Sequence, residues 1–163
     1  MPELRLVAIE KSVINIACCH ADYPVELAMV LRLVKLFGRH MTRSANALLK
    51  AWGITHAECS LLTALYGHRH QTMFIEDLSD AVGEAPECIE WLVVALDKQE
   101  FVVRGYDAVD RRKVVASLSD DGAVLVRSIL PIINGRIADY VESFAPGELA
   151  SLLALLKQVM QGT

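Results

Sequence analysis

Asp107-Ala108-Val109-Asp110-Arg111-Arg112-Lys113-Val114-Val115-Ala116-Ser117-Leu118-Ser119-Asp120-Asp121-Gly122 is the stretch from which the rest of the chain can be ordered. It runs from a charged loop into a β-prone segment and then into a helix start. A second β-prone run, Phe101-Val102-Val103-Arg104, precedes it, and the polar turn Tyr106 to Lys113 between the two predicts a hairpin. Ser119 is a preferred N-cap residue, and Asp120 and Asp121 stand where a helix's positive end favours carboxylates. A long helix therefore follows, through Tyr140 and Phe144, with a kink or break expected at Pro131 because proline lacks the N–H that the helix ladder needs. Pro146 is expected to start a last amphipathic helix carrying Leu149, Leu152, Leu153, Leu155 and Leu156.

Upstream, the apolar residues follow helical spacing. Pro86 fits a first helical position, with Ile89, Leu92, Val93 and Leu96 facing inward to about Gln99. A short helix spans about Ile75 to Val82 and closes near Gly83; His68 to Thr72 reads as a polar loop. Thr55 and Glu58 form a capping-box pair that opens a helix through Leu61, Leu62, Leu65 and Tyr66. From Val25 to Ala51 an apolar set including Leu27, Val30, Leu31 and Val34 alternates with Arg32, Lys35, Arg39 and Arg43, a long helix with one basic face. Leu4, Val7, Val13, Ile14 and Ile16 make a first helix over 3–19, broken by His20 to Pro24. The fold class is mainly α with a small β-hairpin wing: a winged helix-turn-helix with helical extensions at both ends. The wide apolar faces of those extensions suit a symmetric dimer interface.

Composition agrees. The chain has 163 residues, 53% hydrophobic and 22% charged, which is enough for one packed domain and excludes wholesale disorder. No apolar run reaches the ~18 residues of a membrane span, and Glu3 and Glu10 stand where a signal peptide would be basic and then apolar. Four irregularly spaced cysteines do not make a disulfide framework, so a cytoplasmic protein is expected. The charge is uneven: +3 over 1–70, −7 over 71–100, +2 over 101–118 and −2 over 119–163. Such asymmetry bears on partners rather than on fold.

At the hairpin the sequence resembles the MarR family of bacterial transcription regulators. Asp110-x-Arg112 at the wing tip, the strand after it and Leu118-Ser119-x-x-Gly122 match the family's wing signature. Ile54-Thr55-x-x-Glu58, Asp77-Leu78-x-x-x-Val82-Gly83 and Pro86-x-x-Ile89-x-x-Leu92-Val93-x-x-Leu96 resemble its helix entry and helix-turn-helix core. The match covers about residues 25–145. It implies a single domain over 1–163, with dimerisation helices over about 1–50 and 120–163 and the winged helix-turn-helix over about 54–118. It also implies a homodimeric, DNA-binding repressor whose recognition helices enter the major groove and whose wings reach the minor groove of double-stranded DNA. Asp110 would then orient Arg112, the minor-groove reader, while Arg111 and Lys113 contact phosphates. The plainer alternative is that Asp110 and Arg112 only fold a surface turn.

The recognition helix departs from that pattern. Its groove-facing positions hold Glu87, Cys88, Glu90, Trp91, Val94 and Ala95, preceded by Glu84 and capped by Ala85, and Glu100 replaces the usual helix-ending Gly. One Glu can accept from cytosine N4, but several are repelled by a polyanion. The second reading is therefore a MarR-like dimer whose acidic, Trp-bearing helix meets a protein partner. The resemblance further implies a small aromatic-acid effector, for which Arg39, His40 and Arg43 offer cationic partners in a pocket between the dimer helices and the winged domain; solvated basic residues are the plainer reading. Cys18 and Cys19 admit an intersubunit redox bridge, although apolar neighbours would raise their thiol pKa. His68-x-His70 with His56 and Cys59 matches no closed metal pattern. No phosphate loop, nucleophile elbow or paired carboxylates appear, so neither catalysis nor a cofactor is expected.

Overall fold

The structure is a computed structural model that describes residues 2–142 and 144–161, with side chains from Leu6 onward, so Leu4 lies outside the described side chains. The chain divides into two compact units, 1–56 and 57–163. The first contains α1 (Pro2–Cys19), α2 (Val25–Leu49) and a 3₁₀ turn over Lys50–Trp52. α1 and α2 pack on one another, Val13 is fully buried, and Arg32 Nη1 donates to Ser12 Oγ at 3.0 Å. The expected continuation of α2 to Ala51 tightens into the 3₁₀ turn, which ends at Gly53 in the left-handed region. Asn46 Oδ1 accepts from the His56 N–H at 2.7 Å, which fixes the start of the next helix just after Thr55.

The second unit comprises α3 (His56–Gly67, whose first residue closes the preceding unit), β1 (Thr72–Phe74), α4 (Ile75–Val82), α5 (Pro86–Lys98), β2 (Val102–Tyr106), β3 (Val114–Leu118), α6 (Asp120–Val141) and α7 (Glu148–Gln161). Its core is aliphatic: Leu61, Leu62, Leu65, Leu78, Ile89, Val93, Leu96 and Ala116 are fully buried. The expected two-stranded hairpin is the larger part of a three-stranded antiparallel sheet in the order β1-β3-β2. β1 pairs Thr72 with Ser117 and Phe74 with Val115 along the otherwise free edge of β3, and Thr72 Oγ1 lies 2.9 Å from Ser117 Oγ. Three residues are too few to display strand alternation, which is why the segment reads as loop in sequence.

Two further expectations are corrected. α6 runs unbroken through Pro131, because Pro131 and Arg127, whose carbonyl loses its partner, are both exposed in the chain. α7 begins at Glu148, two residues later than expected, where the Glu148 carboxylate reaches back to the Ala145 N–H at 2.8 Å.

α5 ends through Gln99, and Glu100 adopts φ +63°, the left-handed conformation that glycine takes without cost. Its carbonyl accepts from Ser119 Oγ at 2.6 Å, so that backbone geometry is held from α6. Glu100→Gly is expected to stabilise the fold by about 1 kcal/mol, the αL penalty of a side chain less the added freedom of the unfolded chain. Urea unfolding measures it, and an unchanged or lowered midpoint contradicts it.

Candidate nucleic-acid interface

Helix α4, the turn at 83–85 and helix α5 form a helix-turn-helix. Gly83 caps α4 in the left-handed region with its N–H on the Ser79 carbonyl at 2.8 Å, and Ser79 Oγ donates to the Glu84 carbonyl at 2.6 Å. Pro86 then opens α5 at its first position, with Ala85 supplying no side-chain cap. Ile89, Val93 and Leu96 are fully buried, which turns the opposite face outward. That face carries Glu87, Cys88, Glu90 and Trp91, all exposed, with Trp91 at 77%. Leu92, Val94 and Ala95 are half-buried; the outward surface is therefore narrower and more acidic than the sequence suggests. Glu76, Asp77, Asp80, Glu84, Glu87 and Glu90 make no ion pair among the described residues.

The wing is built by main-chain bonds to two aspartates. Asp107 Oδ1 accepts from the Asp110 N–H at 2.7 Å and the Val109 N–H at 3.0 Å. Asp110 Oδ1 accepts from the Arg112 N–H at 3.1 Å, and its carbonyl accepts from the Lys113 N–H at 2.9 Å. The Asp107 N–H closes the loop on the Lys113 carbonyl at 3.0 Å. In the free chain Asp110 thus holds Arg112 through its backbone, not through its guanidinium. Arg111, Arg112 and Lys113 are exposed on the loop, and Lys113 Nζ lies 5.5 Å from the centre of the Phe74 ring.

Two residues that sequence reasoning passed over belong here. Asp107 is the main acceptor of the wing tip; its place at the head of an Asp-x-x-Asp turn was the available signal. Arg104 on β2 donates from Nη1 to Tyr106 Oη at 2.9 Å and lies 5.1 Å from that ring's centre, adding a fourth cation to the hairpin.

Hydrogen bonds from the Asp110 and Val109 N–H groups, aided by the charge of Lys113, hold the Asp107 carboxyl below the usual aspartate range. A carboxylate whose folded pKa is lowered contributes to order above its unfolded pKa and loses that contribution as pH falls through the folded value. The Val109 and Asp110 amide shifts are expected to titrate with a midpoint below that of an ordinary aspartate, and the response should vanish in Asp107→Asn. Amides that titrate at the ordinary aspartate value would contradict the arrangement.

The other candidates separate. Arg39, His40 and Arg43 line a cavity of about 400 Å³ with Ala8, Ile9 and Leu36, between α1 and α2. Cys18 and Cys19 are exposed at the end of α1; Cys88 is exposed on α5 and Cys59 is buried, which pushes its thiol pKa up. The His68 and His70 rings lie 6.2 Å apart, edge to face, on the exposed loop before β1. No group of three or more potential metal ligands gathers among the described residues, and no helix there is long and apolar enough to cross a membrane.

A helix-turn-helix followed by a hairpin with a basic tip defines a winged helix-turn-helix module, and the arrangement from α2 to α7 is the fold of the MarR family of transcription regulators. The chain is 29% identical over 139 residues to YkoM, an HTH-type transcriptional regulator of Bacillus subtilis, covering 82% of this chain and 86% of that protein. It superposes on Sco3205, a MarR family regulator of Streptomyces coelicolor solved in complex with DNA, with a TM-score of 0.74 at 21% identity, covering 87% of this chain and 88% of that one. With Bordetella bronchiseptica BpsR, whose DNA binding is regulated by 6-hydroxynicotinic acid, the TM-score is 0.71 at 20% identity over 80% and 92% of the two chains. At these identities the structural likeness establishes the fold. No protein-family model matches the chain.

Proposed function

We propose that this protein is a DNA-binding transcription regulator, a ligand-responsive homodimeric repressor without catalytic activity, whose wing leads the contact with DNA. The observation that carries the reading is the wing loop 107–113, whose backbone is held by the carboxylates of Asp107 and Asp110 and which carries the exposed cations Arg111, Arg112 and Lys113, on a fold shared with Sco3205, a regulator solved in complex with DNA. A narrow minor groove concentrates negative potential and attracts an inserted arginine, the role of Arg112. Arg111 and Lys113 meet phosphates, which position the module without reading sequence. α5 spans 13 residues, about 20 Å, and enters the major groove. Dimerisation falls to the helices over about 1–50 and 120–163. Its support is their exposed apolar surface: Leu27, Leu31, Val34 and Phe37 on α2, and Leu152, Leu153, Leu156 and Val159 on α7.

A second reading is favoured by α5 itself, where an indole 77% exposed stands among carboxylates with no ion pair. In it the fold is kept and α5 meets a protein partner. One experiment separates the two: fluorescence anisotropy with a labelled duplex from the gene's upstream region against a scrambled duplex, reduced and oxidised, at ~50 and ~200 mM salt. Specific binding that weakens steeply with salt supports the regulator. Absence of binding to either duplex at low salt, in both redox states, overturns it in favour of the partner reading.

A further inference from the structure

Two patches of the second unit carry opposite charge, and each holds an apolar side chain that the fold leaves in water. On α5, Glu87 and Glu90 share a stripe with Trp91, whose indole is 77% exposed, and Glu84 stands just before the helix. On the wing, Arg111, Arg112 and Lys113 follow Val109, which is 95% exposed. A solvated charged surface has no use for either apolar group, and a phosphate backbone offers them no contact. The acids of the wing, Asp107 and Asp110, are engaged by main-chain N–H groups, so the loop presents its cations outward. The α5 carboxylates and the wing cations form no ion pair with one another among the described residues. Yet α5 and the hairpin belong to one packed module, joined where Asp97 Oδ1 accepts from the Arg104 N–H at 3.0 Å. Each chain therefore carries both halves of a complementary pair and leaves both unsatisfied.

We propose that the outward face of α5 docks on the wing of a second copy of this chain, reciprocally, so that the module meets itself about a two-fold axis. This rests on the reading in which α5 meets a protein, and it names that protein. A patch holding both α5 and the wing is self-complementary under such an axis, since each α5 then faces a wing and the contact closes. Glu87 and Glu90 meet Arg111 and Arg112, and Trp91 covers Val109 or takes a guanidinium on its ring face. Exposed ion pairs alone add little, so the indole is the anchor and the charges set register and orientation. The chain's net charge of −4 opposes association only weakly, because at physiological salt repulsion is screened beyond ~8 Å while the facing patches are in contact. The contact covers the wing cations, so assembly and duplex binding through the wing exclude one another.

The test is sedimentation velocity of the full chain without DNA, over ~1–100 μM protein at ~50 and ~500 mM salt. An association step is expected that weakens at least about tenfold at the higher salt. Trp91→Ala should weaken it at least about tenfold at low salt. Glu87→Arg/Glu90→Arg makes both patches basic, and Arg111→Glu/Arg112→Glu makes both acidic, so each variant alone should lose the step. An equimolar mixture of the two should regain it, because each α5 then faces a wing of opposite charge; this recovery also shows that both variants are folded. The proposal is overturned if the wild-type chain sediments alike at both salts and all concentrations, if either charge variant assembles as the wild type does, or if the mixture does not assemble. A chain that neither assembles nor binds a duplex overturns the proposal while leaving α5 to a protein of another kind, so the two readings fail separately.

Discussion

Gly122→Ala is expected to destabilise the protein by at least about 3 kcal/mol, beyond the usual range for a surface methyl and in the range of severe overpacking. A Cβ there would stand 2.1 Å from the Phe101 carbonyl oxygen, 3.1 Å from its carbon and 2.9 Å from Leu118 Cδ1. The Phe101 backbone is not free to give way. The Phe101 carbonyl accepts from the Ser119 N–H at 3.1 Å, and the Phe101 N–H donates to the Leu96 carbonyl at 3.0 Å. Ser119 Oγ accepts from the Gly122 N–H at 2.9 Å and lies 2.6 Å from the Glu100 carbonyl. The end of α5, the start of β2 and the start of α6 therefore meet at one point, and only a glycine allows α6 to approach that closely. Urea unfolding at several protein concentrations measures the loss. Gly135→Ala is the control, since nothing lies within 4 Å of its Cβ position and an alanine inside a helix should add about 0.5–1 kcal/mol. Equal midpoints for the two variants would contradict the packing argument.

Arg112→Ala is expected to weaken specific duplex binding by about 1–3 kcal/mol, roughly 5- to 150-fold at fixed salt, and to relax the preference for the native duplex over the scrambled one. Arg111→Ala and Lys113→Ala should act differently. Each should weaken both duplexes alike and lower the slope of log affinity against log salt by about 1, the signature of one lost phosphate contact. Anisotropy titrations across salt separate the patterns. The acidic helix supplies a converse: Glu87→Gln and Glu90→Gln remove charge facing a polyanion, so both should tighten binding to any duplex if α5 enters the groove. If neither changes affinity while Arg112→Ala abolishes it, the wing binds alone and α5 stands clear of DNA.

Much of this was legible in sequence because the signals are local. The helix starts at Val25, Pro86 and Asp120 follow from proline, from capping side chains and from the favoured place of carboxylates in a first turn, which act within four residues. Ile89, Val93 and Leu96 read as one buried stripe because helical period alone places them together. The wing read as a turn because Asp side chains bond the backbone two or three residues ahead, although Asp107 rather than Asp110 proved to be the main acceptor.

The remainder required partners distant in the chain. β1 is a strand only because β3 offers it an edge more than 40 residues away, and nothing within Thr72–Phe74 announces that. Gly122 reads in sequence as one element of a family pattern; that its Cα must lie against the Phe101 carbonyl is a fact of three elements converging. Arg39 and Arg43 read as part of a basic helix face, and it took the packing of α1 on α2 to place them at a cavity rather than in open solvent. Composition, period and capping thus determined which segments are helical, where they begin and which residues turn inward. Only the tertiary structure decided which outward residues share a surface, because that depends on contacts whose cost and gain no local stretch of chain contains.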